Sequence, residues 1–220
     1  MRFITGLLGT LLFLAAAQGS VLAVGPGAFP AGSPLLTFDG LAGGTEVNGL
    51  VVSGVTFTVT VGGIPANHVV LIETANILLG PTNNITPPVI GGDSGSTLGV
   101  TLPIPATLFG YGFTILSTAS VANATSISLF MDSTSVGSLS YSGVPDPVLT
   151  GGFAGIESTI PFDRAELTFN SVVASAFAAD NITYSPVPEP ATAPMVLAAL
   201  ALLCTVWRHR PQMLGHRSRR

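Results

Sequence analysis

Apolar residues in this chain come in short bursts, not in helical stripes. Residues 55–61 read Val55-Thr56-Phe57-Thr58-Val59-Thr60-Val61, an unbroken apolar–polar alternation. On a pleated strand that period of two places Val55, Phe57, Val59 and Val61 on one face. Further bursts rich in Val, Thr, Ile and Phe lie at 35–38, 69–73, 99–102, 110–115, 126–131, 137–141, 152–157, 165–169 and 178–184. Most are separated by Gly, Pro, Asn and Ser at short, fairly even spacing, which is the pattern of a β-sandwich or barrel. The best helical stretch, 172–177, is short and flanked by strand-like sequence. The predicted fold class is all-β. Residues 81–96 are rich in Pro, Asn and Gly and read as one long loop, either a ligand-binding element or a passive connection.

The two ends follow a different pattern. Met1-Arg2 is followed by an apolar run at 3–17, and Val21-Leu22-Ala23 has the small-x-small form of a signal-peptidase site. Residues 1–23 are therefore predicted to be a secretory signal peptide, with cuts after Ala17 or Gly19 as alternatives and an uncleaved anchor as the other reading. At the far end an uncharged apolar run occupies 193–207, and Arg208, Arg210, Arg217, Arg219 and Arg220 follow it. A run of about 15 residues is short for a bilayer span, and suits a thin membrane or a temporary anchor. Basic residues stay cytoplasmic. Both ends then face the cytoplasm before processing, and everything between them lies outside the inner membrane.

Ahead of the apolar run stands Val187-Pro188-Glu189-Pro190-Ala191-Thr192. Triplet, apolar run and basic end, in this order, resemble the PEP-CTERM sorting signal of Gram-negative envelope proteins. The resemblance covers the tail alone. It implies recognition through Val187, Pro188, Glu189 and Pro190 by an exosortase, a membrane enzyme similar in role to sortase. The chain then divides into a signal peptide (1–23), a β-sandwich ectodomain (24–184), a Pro-rich stalk with the motif (185–192), a transmembrane sorting helix (193–207) and a basic cytoplasmic tail (208–220). The other reading of the tail is an ordinary anchor that is never cut.

Charge alters the picture of the body. All 11 Asp and Glu residues of the chain lie between Asp39 and Glu189. Arg164 is the one Arg in that stretch, and the chain has no Lys. A nucleic-acid partner is excluded, because no basic patch exists to displace counterions. The single cysteine, Cys204, lies in the apolar tail, so the body has neither a disulfide nor a thiol chemistry.

Several segments of the body resemble jelly-roll domains common in PEP-CTERM proteins. They are Leu36-Thr37-Phe38-Asp39-Gly40-Leu41 with Gly54-Val55-Thr56-Phe57, Gly110-Tyr111-Gly112-Phe113, Gly152-Phe153-Ala154-Gly155, and the ending Asp180-Asn181-Ile182. The resemblance implies a lectin-like jelly-roll β-sandwich whose first and last strands lie side by side. It also implies a structural calcium near those strands, for which Asp39, Glu46 and Asp180 supply carboxylates and Asn181 a carbonyl oxygen. Hydrogen bonding at strand ends is the alternative role for Asp39 and Asp180.

Catalytic features are sparse. Gly92-Asp93-Ser94-Gly95 has the look of a protease nucleophile region, but His68 is the one histidine of the body and no supporting triad is visible. The close carboxylate pairs Glu157/Glu166 and Asp163/Glu166 are the candidates for glycoside hydrolysis. For sugar binding the body offers no Trp, and Tyr141, next to Ser142-Gly143, is the candidate stacking residue, while Tyr111 and Tyr184 read as core. The sequons at Asn84, Asn123 and Asn181 are expected to be chance matches. The sequence thus predicts a non-catalytic, exported envelope or matrix protein with a structural or adhesive role, associated with exopolysaccharide or biofilm. A carbohydrate-binding module is the alternative, and a glycoside hydrolase the third reading.

Overall fold

The computed structural model describes residues 19–74 and 82–187. The expected signal residues 1–18, the stalk from Pro188, the apolar run and the basic tail lie outside the described residues. Among the described residues no helix is long and apolar enough to cross a membrane.

The described chain is all-β, as the alternation predicts. Its strands are β1 (Val21–Ala23), β2 (Leu35–Leu36), β3 (Val51–Val52), β4 (Val55–Val61), β5 (Ile64–Pro65) and β6 (Val70–Glu73). They continue with β7 (Val89–Asp93), β8 (Ser96–Ile115), β9 (Val121–Met131), β10 (Thr134–Pro145), β11 (Thr150–Phe169) and β12 (Ala176–Pro186). One 3-10 turn, Pro26–Ala28, is the only helical element among the described residues.

Two long strands run through both layers of the sandwich. Residues 96–101 of β8 pair with β4, and residues 97–101 with 164–168 of β11, which in turn pairs with β9 and so places β10 beyond it. Residues 108–115 of the same β8 pair with the other half of β11, 150–157, and with β12, which carries β7, β6 and β2. The changeover lies at 102–107 of β8 and 158–163 of β11, where the register between the two strands shifts. Pro103 and Pro105 stand exposed at this corner, with Pro161 in the facing segment. Proline lacks the N–H that a ladder needs, so it sits where pairing is interrupted. The Ser158 hydroxyl occupies the bulge, accepting from the Ile160 N–H at 3.1 Å and donating to the Ile160 carbonyl at 2.7 Å.

Between the layers, alternate residues form the core. Phe109, Tyr111, Phe113 and Ile115 of β8 point inward with Ile127 and Leu129 of β9, Ala165 and Leu167 of β11, and Phe177 of β12. Phe169 and Phe177 stack with ring centroids 3.7 Å apart, and Tyr111 meets Phe169 edge to face. In β4 the predicted face is buried at Val55, Phe57 and Val59, but Val61 is 44% exposed because the strand outruns the core.

Three expectations are corrected. The bursts at 99–102 and 110–115 belong to one strand, as do 152–157 and 165–169, because the corner residues keep extended geometry. The expected loop 81–96 contains β7 and the start of β8. Its glycines mark close approach, not irregular chain: a Cβ on Gly91 would meet the Glu73 side chain at 2.4 Å, and one on Gly92 the Val69 carbonyl at 2.5 Å. The helical candidate 172–177 is a turn that leads into β12. Val21–Ala23, at the end of the expected signal peptide, pairs antiparallel with Ile156–Ser158 of β11; a cut after Ala23 removes this strand and a cut after Ala17 keeps it.

Candidate functional site

The outer face of the second layer is built from small residues. Because Gly110, Gly112 and Thr114 alternate with the inward aromatic residues of β8, they face outward. Gly155 and Phe153 of β11 and Thr183 and Asp180 of β12 are paired beside Gly110 and Gly112. Without side chains on those glycines, two segments lie directly on the sheet. A strap at 24–35 packs Phe29 edge-on against Phe153, centroids 6.0 Å apart, over Gly110. A loop at 82–88 brings the Asn84 carbonyl onto Gly112. The loop is tied down: the side-chain amides of Asn83 and Asn84 both donate to the Asp146 carboxylate, and the Thr86 N–H donates to Asp180 at 3.0 Å. Ile85 and Val89 join Leu149 and Ala178 in a small apolar cluster beneath it.

A groove of about 400 Å³ remains between strap and loop. Gly112, Phe153, Asn181 and Thr183 form its floor, Pro26, Phe29, Pro30 and Leu35 one wall, and Asn83 and Asn84 the other. Asn181 takes a left-handed φ of +51° at the irregularity of β12 and donates to the Asn84 carbonyl at 3.1 Å. A second cleft of about 430 Å³ lies between Gly43-Gly44 and β6–β7 and is lined by His68, Glu73 and Thr74. Burial raises the Glu73 carboxyl above its usual value.

The residues expected at a calcium site separate into two groups. Asp180 is 2% exposed, its Oδ2 accepts the Thr86 N–H, and its Oδ1 has no hydrogen-bond partner. Burial pushes its carboxyl above the ordinary value; the Thr86 and Asn181 backbone N–H groups pull partly back, and the nearby charge of Asp39 adds to the rise. Asp39 is thus near enough for its charge to act on Asp180, and Asn181 is the next residue of the chain. Glu46 is engaged elsewhere: its Oε2 accepts the His68 N–H at 2.7 Å and pairs with His68 Nδ1 at 2.9 Å. Among the described residues no three His, Cys, Asp or Glu side chains are grouped so as to hold a metal ion.

The raised Asp180 value has a signed consequence. The native state holds this proton more tightly than the unfolded chain does. The stability contribution is therefore largest below 3.8 and declines as pH rises through the raised folded value. In EDTA at pH 7, Asp180→Asn is expected to stabilise the body by about 1 kcal/mol, since an amide keeps the bond to Thr86 without a buried charge. The gain should vanish in acid, which thermal melts at pH 3 and pH 7 will show.

The other candidates are scattered. Tyr141 lies within β10, not beside a loop; it is half-buried, and its hydroxyl donates to the Gly155 carbonyl at 2.7 Å. Tyr111 and Tyr184 are buried, as predicted. Glu157 and Glu166 lie on the two halves of β11, on either side of the changeover at 158–163, opposite Leu108 and Gly99 of β8. Asp163 accepts the Asp132 N–H, and Glu166 pairs with Arg164, whose guanidinium lies 4.2 Å from the Phe130 ring centre. Gly92-Asp93-Ser94-Gly95 is the β7–β8 turn, closed by Gly95 N–H donating to Asp93 at 2.8 Å. Sequence reasoning missed the groove. Its sequence signals were the Pro-, Asn- and Gly-rich stretch at 81–96, which supplies Asn83 and Asn84, and the Gly–aromatic alternation at 110–113, which marks a face that something else must cover.

The tail decides the address. Residues 186–210 match the family described as PEP-CTERM protein-sorting motif. This chain carries a PEP-CTERM sorting motif. The motif marks an exported protein sorted to the cell envelope or surface, and implies processing by exosortase. A comparison with curated proteins finds no match. Among solved structures the chain is similar to the enzymatically active domain of bacteriophage CBA120 tailspike protein 4, at 19% identity over 64% of this chain and 22% of that one, TM-score 0.35. It is also similar to the catalytic domain of GH87 alpha-1,3-glucanase in complex with nigerose, at 15% identity over 67% and 30%, TM-score 0.37. A third is a variant of CBM29-2, a family 29 carbohydrate binding module, at 9% identity over 60% and 91%, TM-score 0.31. The chain thus spans less than a third of the first two, and likeness this slight carries no argument about function.

Proposed function

We propose that this PEP-CTERM protein delivers a non-catalytic β-sandwich to the cell surface or extracellular matrix, where the body has a structural or adhesive role alongside exopolysaccharide. One observation carries this reading: the sorting motif begins at residue 186, where the last strand of the body ends. The cargo is then the sandwich itself. Before processing, the apolar run at 193–207 holds the chain in the inner membrane with the basic tail in the cytoplasm; exosortase then cuts near Pro190. On the N-terminal side, retention of β1 favours a cut after Ala17 over one after Ala23. The orphan Oδ1 of Asp180 beside Asp39 suits an oxygen-seeking cation such as calcium. In that case millimolar calcium raises the melting temperature of the body and leaves Asp180→Asn unmoved.

Intact-mass spectrometry of the protein from the envelope and medium of its host tests the reading. The expected species starts at Gln18 and ends near Pro190. A mass that retains Arg220 would make the tail a permanent anchor and overturn the sorting step.

A further inference from the structure

The groove between the strap and the 82–88 loop has a chemistry that selects its ligand. Its walls combine two kinds of surface. Pro26, Pro30, Phe29 and Phe153 offer flat, rigid apolar faces. Asn83, Asn84 and Asn181 offer carboxamides, each fixed by one N–H donated to Asp146 or to the Asn84 carbonyl, with the second N–H and the Oδ1 left over. Their Oδ1 atoms accept no bond from any described residue, and none is among the buried atoms without a partner. What remains is a set of fixed, uncharged donors and acceptors beside apolar faces. The Thr183 hydroxyl on the floor donates to the Pro34 carbonyl at 3.0 Å and so keeps only acceptor capacity.

A matching ligand must both donate and accept hydrogen bonds, carry no charge and present C–H faces. An anion finds no cation here: Arg164 is the one Arg of the body and lies on the other layer, beside Phe130. A cation finds no carboxylate in the lining, because Asp146 is engaged by both asparagines from behind. Hydroxyl groups on a ring with apolar C–H faces meet all three conditions. The volume of about 400 Å³ falls in the about 300–1,000 Å³ range of small-molecule sites.

We propose that this groove binds a neutral saccharide, with Asn83, Asn84 and Asn181 as donors and acceptors for its hydroxyl groups and the Phe29–Phe153 pair and adjacent prolines as the apolar platform. The proposal deepens the adhesive reading of the body and rests on it. The pinned hydroxyl of Tyr141 takes no part.

The test uses the mature secreted protein, isotopically labelled, and NMR titration with neutral gluco-, manno-, galacto- and xylo-oligosaccharides, with an oligogalacturonate as the anionic probe. At least one neutral oligosaccharide is expected to shift the amides of Gly32, Asn84, Gly112 and Asn181 in a saturable way. Asn83→Ala leaves Asn84 holding Asp146. Asn181→Gly keeps the left-handed backbone without the side chain. Each should weaken binding at least tenfold while the spectrum stays folded. Glu73→Gln, in the other cleft, should bind as the unaltered protein does. Shifts confined to the β10 surface or to the other cleft, binding of the oligogalacturonate alone, or no shift with any neutral sugar would overturn the proposal. Because the mass spectrum reports sorting separately, a correctly processed protein that fails to bind sinks the groove and leaves the surface role standing.

Discussion

Tyr111→Ala is expected to destabilise the body by about 3–5 kcal/mol, the range for emptying a buried aromatic site. Tyr111 is fully buried between Phe109 and Phe113 on its own strand and Phe169 across the core. Neighbours on the same strand cannot collapse into the space without breaking the β8 ladder, so most of the cavity persists. For a domain of this size the loss corresponds to roughly 10 °C in melting temperature. Tyr111→Phe separates the ring from its hydroxyl. The hydroxyl is hydrogen-bonded to Thr125 Oγ1, and burial pushes the phenol above its usual value, so it stays neutral. Once that partner is gone, Thr125 still donates to the Thr168 carbonyl at 2.9 Å. No donor is orphaned, and the expected cost is about 1 kcal/mol. Chemical denaturation of the two variants checks both values; equal losses would place the stability in the hydrogen bond and not in the packing.

The second large effect lies on the outer face. A Cβ at residue 112 would stand 2.2 Å from the Asn84 carbonyl oxygen and 3.1 Å from its carbon. Both are backbone atoms, and the loop that carries them is held by Asp146, by Asp180 and by Ile85 in its apolar cluster. The loop must lift as a unit, which costs about 3 kcal/mol, the upper part of the overpacking range. Gly112→Ala should therefore lower stability and at the same time deform the groove that Asn84 borders. Gly25→Ala is the matched control. It lies in the strap at an ordinary φ of −89°, and nothing lies within 4 Å of its added carbon. Its effect should stay within about 0.5 kcal/mol. Thermal melts together with the Asn84 amide shift distinguish a lifted loop from general unfolding. A Gly112→Ala protein with unchanged melting and an unchanged Asn84 amide would show that the close contact is not maintained.

The sequence alone determined the features that depend on local pattern. Period-two alternation at 55–61 and the evenly spaced bursts after it specify strands, because a pleated chain sends neighbouring side chains to opposite faces whatever it pairs with. The address is local too: the triplet at 188–190, the apolar run and the basic end are read in order along the chain, with no fold required. Burial of Tyr111 and Tyr184 followed from their place in apolar strands. Tertiary structure decided the rest. Whether two bursts form one strand depends on a partner that bends at the same point, and that partner is more than 40 residues away in the case of β8 and β11. Val21–Ala23 reads as a cleavage site by composition and becomes a strand only because Ile156–Ser158 offers a free edge. Tyr141 reads as loop-flanked until the Gly155 carbonyl takes its hydroxyl. The groove is the extreme case: its floor, walls and acceptors come from five separated stretches of chain. The outward glycines that admit them look, in sequence, like any other break between strands.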